Sequence, residues 1–109
     1  DWDLQDIIVL NLQRSVQISV DIASHIISQL NRKTPLTMAD TFTELHEARI
    51  ISKQIAERMI KSVSFRNISV HQYQDIEWNI VYSIITSNLG DFKEFAKSVF
   101  QWLNQNNSE

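Results

Sequence analysis

The sequence predicts an all-α fold: an up-and-down bundle of four to five helices, with long first and last members. Three observations predict it. The chain holds one Gly and one Pro among 109 residues, where average usage is roughly 7% and 5%. Strands need tight turns and turns lean on these residues, so a chain with so few has few, long elements. Apolar residues recur at spacings of three and four over long stretches, the mark of a helix face. The length supports one domain around one core, taken as residues 1–109. The chain starts at Asp1 and not at Met, which predicts further residues ahead of it.

The first helix is expected from about Trp2 to Leu30. Its stripe is Leu4, Ile8, Leu12, Val16, Val20, Ala23, Ile27 and Leu30. Ile7, Ile18, Ile22 and Ile26 widen that stripe, so two sides of the helix should be covered, one by the core and one by a partner. The stretch from Asn31 to Thr37 reads as a linker, with Pro35 as its stop signal. A short helix fits Met38 to Ala48, turning Phe42 and Leu45 inward. Ser52 is a suitable N-cap for the third helix, whose stripe is Ile55, Met59, Ile60 and Val63. That helix runs on into Phe65 to Tyr73. Asp75 would cap the last long helix, with the stripe Trp78, Val81, Ile85, Leu89, Phe92, Ala96, Val99 and Leu103. The spacing passes Gly90 in phase, so Gly90 is expected inside one helix; the other reading splits two helices there. The tail from Asn104 to Glu109 is polar and expected to fray.

Composition excludes several function classes. Apolar residues are 43% and charged residues 21%, ordinary for a globular protein and unlike a disordered one. No Cys is present, which removes disulfides, thiolate metal sites and a cysteine nucleophile. One Gly cannot build a phosphate-cradling loop. His25, His46 and His71 are too scattered for a metal site, so neither metal nor cofactor is assigned; His25 and His46 read as structural or surface residues. No apolar run approaches the ~20 residues that span a bilayer, and no signal peptide is visible. The expected location is the cytoplasm. Trp2, Trp78 and Trp102 read as core or interface anchors.

The informative stretch is Arg66 to Tyr73: Arg, four residues, His, one residue, Tyr. These residue types suit RNA cleavage. Imidazole titrates near neutrality, so His71 could take a proton from a 2′-hydroxyl and return it. The Arg66 guanidinium stays charged, and its planar fork matches phosphate oxygens. It would stabilise charge building on those oxygens in the transition state. Tyr73 could stack on a base or bond a phosphate. On a continuous helix, Asn67 and His71 share a face, whereas His71 points about 140° away from Arg66. Convergence then needs a helix ending near His71 or two copies facing across a symmetry axis, and both are expected. Asp21 could reach Arg66 across the bundle but is left out of the catalytic set. The net charge of −3 opposes RNA binding. Locally, however, Arg49, Lys53, Arg58, Lys61 and Arg66 face only Glu57, a segment of net +4.

The run Ser64-Phe65-Arg66-Asn67-Ile68-Ser69-Val70-His71-Gln72-Tyr73 resembles the signature of the HEPN ribonuclease superfamily. Within it, the likeness is to the HepT toxins of HepT–MntA toxin–antitoxin systems. Asn11 to Arg14 and Asp21 to Ile27 resemble that family's first core helix, Phe42 to Leu45 its second, and Asp75 to Glu77 with Asn88 to Phe92 its closing helix. The resemblance implies a HEPN-like bundle and a metal-independent endoribonuclease of the type VII systems, acting on RNA, with transfer RNA a fair guess. It implies Arg66 and His71 as the catalytic pair and Asn67 as a site-shaping residue. It implies Tyr73 as the residue to which a MntA-type nucleotidyltransferase antitoxin adds AMP from ATP. It also implies a homodimer with the cleft at its interface, and a larger assembly with the antitoxin. The family's pattern departs here at Gly90, where acidic or polar residues are common, and at Phe65, where other apolar residues also occur. A different class of function stays open, a non-catalytic helical adaptor that serves as partner and substrate of a nucleotidyltransferase.

Overall fold

The computed structural model describes residues 4–71 and 78–107, and these form four helices with no strand among them. Helix α1 spans Leu4–Gln29, α2 Met38–Glu47, α3 Lys53–His71 and α4 Trp78–Asn107. At 1.5 Å per residue α1 and α4 are ~39 and ~45 Å long. They therefore set the long axis of a molecule measuring 52 × 25 × 22 Å. Helix α3 packs on α2, α1 and α4, and α1 packs on α2.

The core forms where the predicted stripes meet. Helix α1 contributes Val16, Val20, Ala23, Ile26 and Ile27, α2 Phe42 and Leu45, α3 Ala56, Met59 and Val63, and α4 Phe95 and Val99. Phe42 and Phe95 meet edge to face, with centroids 5.5 Å apart and planes at 81°, a favoured geometry for aromatic quadrupoles. Two stripes are corrected. On α1, Leu4 is exposed and the buried face begins at Val9. Ile7, Ile18 and Ile22 lie outward, on the second face that the sequence set apart from the core. On α4, Leu89, Ala96 and Leu103 are exposed and Phe95 takes the centre of the buried face, with Phe92 and Trp102 packed partly against the core. The helix is apolar on two sides, and the predicted phase fell between them.

Local signals explain the ends. Thr37 caps α2 by accepting from the Asp40 amide at 3.0 Å. Ser52 caps α3, accepting from the Ile55 amide at 3.2 Å. Helix α2 closes with Ile50 N donating to the Leu45 carbonyl and Arg49 N to the His46 carbonyl, both at 2.9 Å. This is a Schellman closure. It buries Ile50 and Ile51, neither of which the spacing marked as core. Arg49 occupies the closing position at φ 63°, where an L side chain is strained and Gly is not. Arg49→Gly is therefore expected to stabilise the fold by about 0.5–1 kcal/mol, a rise of a few degrees in a thermal melt. An unchanged or lowered midpoint would contradict this reading of the turn. Gly90 lies within α4, with open space where a Cβ would stand, so the single-helix expectation holds. Helix α4 continues to Asn107, into the tail expected to fray.

Candidate active site

Helix α3 carries the motif on a buried face that mixes apolar and polar side chains towards its C-terminal end. Through Val63 that face is packed in the apolar core. Beyond it, Phe65 and Ser69 are buried and Arg66 half-buried. The Arg66 guanidinium donates through Nη1 to Asn67 Oδ1 at 3.2 Å. Its Nε is buried and has no acceptor among the described residues. A buried donor left unpaired costs about 1–3 kcal/mol, and native structures keep few of them. The guanidinium is thus held on one edge by its neighbour and retains unused donor capacity.

His71 is exposed on the last described turn of α3, on the same side as the exposed Asn67 and Ser64. Helical geometry sets it about 140° from Arg66. One α3 helix therefore does not put the two side chains on a common face, and the warning raised by their spacing stands. Tyr73 and Asp75 lie outside the described residues. Asp21 is exposed and accepts from Gln17 Nε2 at 3.0 Å, and no ion pair joins it to Arg66. His25 is exposed, and His46 Nδ1 lies 3.3 Å from the Ile51 carbonyl; both keep structural or surface places.

The local charge is lower than the sequence count. Asp91, buried on α4, lies 3.7 Å from Arg58 Nε, which brings a second carboxylate to the basic segment. Lys53 and Lys61 remain exposed along α3 and Arg49 ahead of it. One structural element of the site escaped the sequence reading. Gln13 of α1 donates to Ser69 Oγ at 2.9 Å, and Ser69 donates to the Arg66 carbonyl at 2.8 Å. The only local signal was a serine three residues after Arg66, which by itself names no partner 56 residues away.

Comparisons with known proteins agree on one family. A family model described as ribonuclease HepT-like matches residues 1–99. An mRNA nuclease HepT of Shewanella oneidensis is 38% identical over 95 residues, which cover 87% of this chain and 71% of that protein. A tRNA nuclease HepT of Aphanizomenon flos-aquae is 30% identical over 92 residues, covering 84% of this chain and 63% of that one. Among solved structures, the tri-AMPylated Shewanella oneidensis HEPN toxin in complex with its MNT antitoxin matches with a TM-score of 0.87 at 36% identity. That match covers 93% of this chain and 76% of the toxin chain.

Proposed function

The chain belongs to the ribonuclease HepT-like family, and from that premise we propose that it is an endoribonuclease toxin that cuts RNA at a cleft shared by two copies of itself. The observation that carries the reading is the Arg66 guanidinium, half-buried, steadied by Asn67 and with a buried donor unused, on the helix that also presents an exposed His71. Arg66 binds the non-bridging phosphate oxygens and meets the charge that grows on them. His71 takes the proton from the 2′-hydroxyl as its oxygen attacks the adjoining phosphorus. The bond from phosphorus to the next nucleoside's oxygen breaks, and that oxygen takes up a proton. The step balances without a metal or cofactor. Two copies facing each other would bring one chain's imidazole towards the other's guanidinium, which a single α3 does not do.

The relatives are named for messenger and transfer RNA, and transfer RNA is the substrate to test first. The partner is a MntA-type nucleotidyltransferase antitoxin, which moves AMP from ATP to Tyr73 and holds the toxin within a larger assembly. The added phosphate brings negative charge to the motif, seven residues after Arg66, and would repel the substrate phosphate. The proposed place of action is the cytoplasm, where RNA and ATP are both present; no helix among the described residues is long and apolar enough to cross a membrane.

Expression of the chain alone should arrest growth. Incubation with the antitoxin and ATP should raise the mass of the wild type by whole AMP units and abolish cleavage. Tyr73→Phe should stay unmodified and active under the same treatment. AMP on Tyr73→Phe, or full cleavage by modified wild type, would contradict the regulatory assignment. Arrest that persists undiminished in both Arg66→Ala and His71→Ala would rule out the nuclease mechanism, and no arrest by the wild type would favour the adaptor reading.

A further inference from the structure

The turn of α3 that carries Arg66 lies beyond the central apolar cluster, next to the buried Phe65. The α3 members of the central cluster end at Val63, and those of α1 begin at Val16. At that edge a polar contact ties the two helices together. Gln13 Nε2 donates to Ser69 Oγ at 2.9 Å. The Ser69 hydroxyl, 2% exposed, donates in turn to the Arg66 carbonyl at 2.8 Å. Other serines of α3 bond only along their own helix in the contacts observed. Ser62 donates to the Arg58 carbonyl at 3.1 Å and Ser64 to the Ile60 carbonyl at 3.3 Å.

We propose that Gln13 and Ser69 are positioning residues for Arg66, a two-bond strut that fixes the backbone of the arginine's turn against α1. The inference rests on the reading of Arg66 as the phosphate-binding group. A guanidinium at the end of a flexible side chain can be aimed only as well as its Cα is held. Functional groups need placement to within about 0.5 Å, and a shift near 1 Å can cost on the order of a hundred-fold in rate. Apolar packing restrains helices without fixing their axial slide or rotation as sharply as a directed hydrogen bond does. The strut supplies that restraint beyond the central cluster, on the turns that also bury Leu12 and Phe65. Its middle hydroxyl bridges the two helices, accepting from α1 while donating to the carbonyl, so loss of either member releases the turn.

The test compares purified full chains carrying Ser69→Ala, Gln13→Leu, both together, and Ser62→Ala. Ser62→Ala removes the same kind of hydroxyl-to-carbonyl bond from a serine that is 1% exposed on the same helix. Ser69→Ala and Gln13→Leu are each expected to lower kcat for RNA cleavage about ten- to hundred-fold with KM within about two-fold. The double variant should fall no further than the worse single one, because the two act as a unit. Ser62→Ala should keep the wild-type kcat. Independently of activity, ¹⁵N relaxation at the Arg66 Nε–H should show a lower order parameter in both strut variants and an unchanged one in Ser62→Ala. Unchanged kcat in both strut variants, an equal loss in Ser62→Ala, or an unaltered Arg66 Nε order parameter would overturn the proposal. Arg66→Ala in the same assay separates the two levels: if it cleaves like wild type, the phosphate-binding role fails, while the relaxation data still decide whether the strut holds the turn.

Discussion

Arg66→Ala is expected to lower the rate of RNA cleavage by about a hundred- to a thousand-fold while leaving the helical fold intact. The magnitude follows from the removal of one preorganised donor group that faces charge developed in the transition state. The fold should survive because the side chain is only half-buried and its hydrogen bond to Asn67 is exposed. Removing it also removes the unpaired buried Nε, so stability should hold or rise slightly. Arg66→Lys should recover little. An ammonium keeps the charge but loses the planar fork that engages two phosphate oxygens together. Rates measured under single turnover, alongside circular dichroism of each variant, check both halves. Cleavage by Arg66→Ala within a few-fold of wild type would remove the phosphate-binding role.

Phe42→Ala should have the largest effect on stability. Phe42 is fully buried and packs edge to face on Phe95, joining α2 to α4. Truncating such a side chain costs about 3–5 kcal/mol, from lost burial and from the cavity left behind. The total stability of a domain this size is about 5–15 kcal/mol. A thermal midpoint lower by more than about 10 °C at matched protein concentration is therefore expected. A fall of less than about 3 °C would mean that the centre of the core is misplaced. Exposed apolar residues provide the contrast. Leu89→Ala, at a position 69% exposed, should shift the midpoint of the isolated chain little.

Much of the fold was legible because one Gly and one Pro leave a chain little choice but long helices. Phe42 and Leu45 turned inward as their spacing required, and Ser52 capped α3 through its hydroxyl. Gly90 did not break α4, because nothing approaches closely enough to need its missing Cβ and its neighbours keep the helical register. What was not legible has a common cause. Helices α1 and α4 carry apolar residues on two faces, and period alone cannot say which face meets the core; Leu89, Ala96 and Leu103 were assigned inward on that ambiguity. Ile50 and Ile51 were missed because Arg49 makes a left-handed closure without the glycine that usually signals one. At the candidate site, the motif's spacing located Arg66, Asn67 and His71 on one helix. The bond from Gln13 to Ser69 joins residues 56 apart, and no local pattern encodes such a pairing.

Whether His71 and Arg66 together cut RNA is read out with purified protein. End-labelled transfer RNA is incubated in the presence of a metal chelator with wild type and with His71→Ala at equal protein concentration. Discrete cleavage by the wild type is expected, with a loss of about a hundred-fold or more in His71→Ala, the range seen when a proton-transfer group is removed. Equal cleavage by the two proteins, or cleavage by the wild type that vanishes with the chelator, would contradict that joint role.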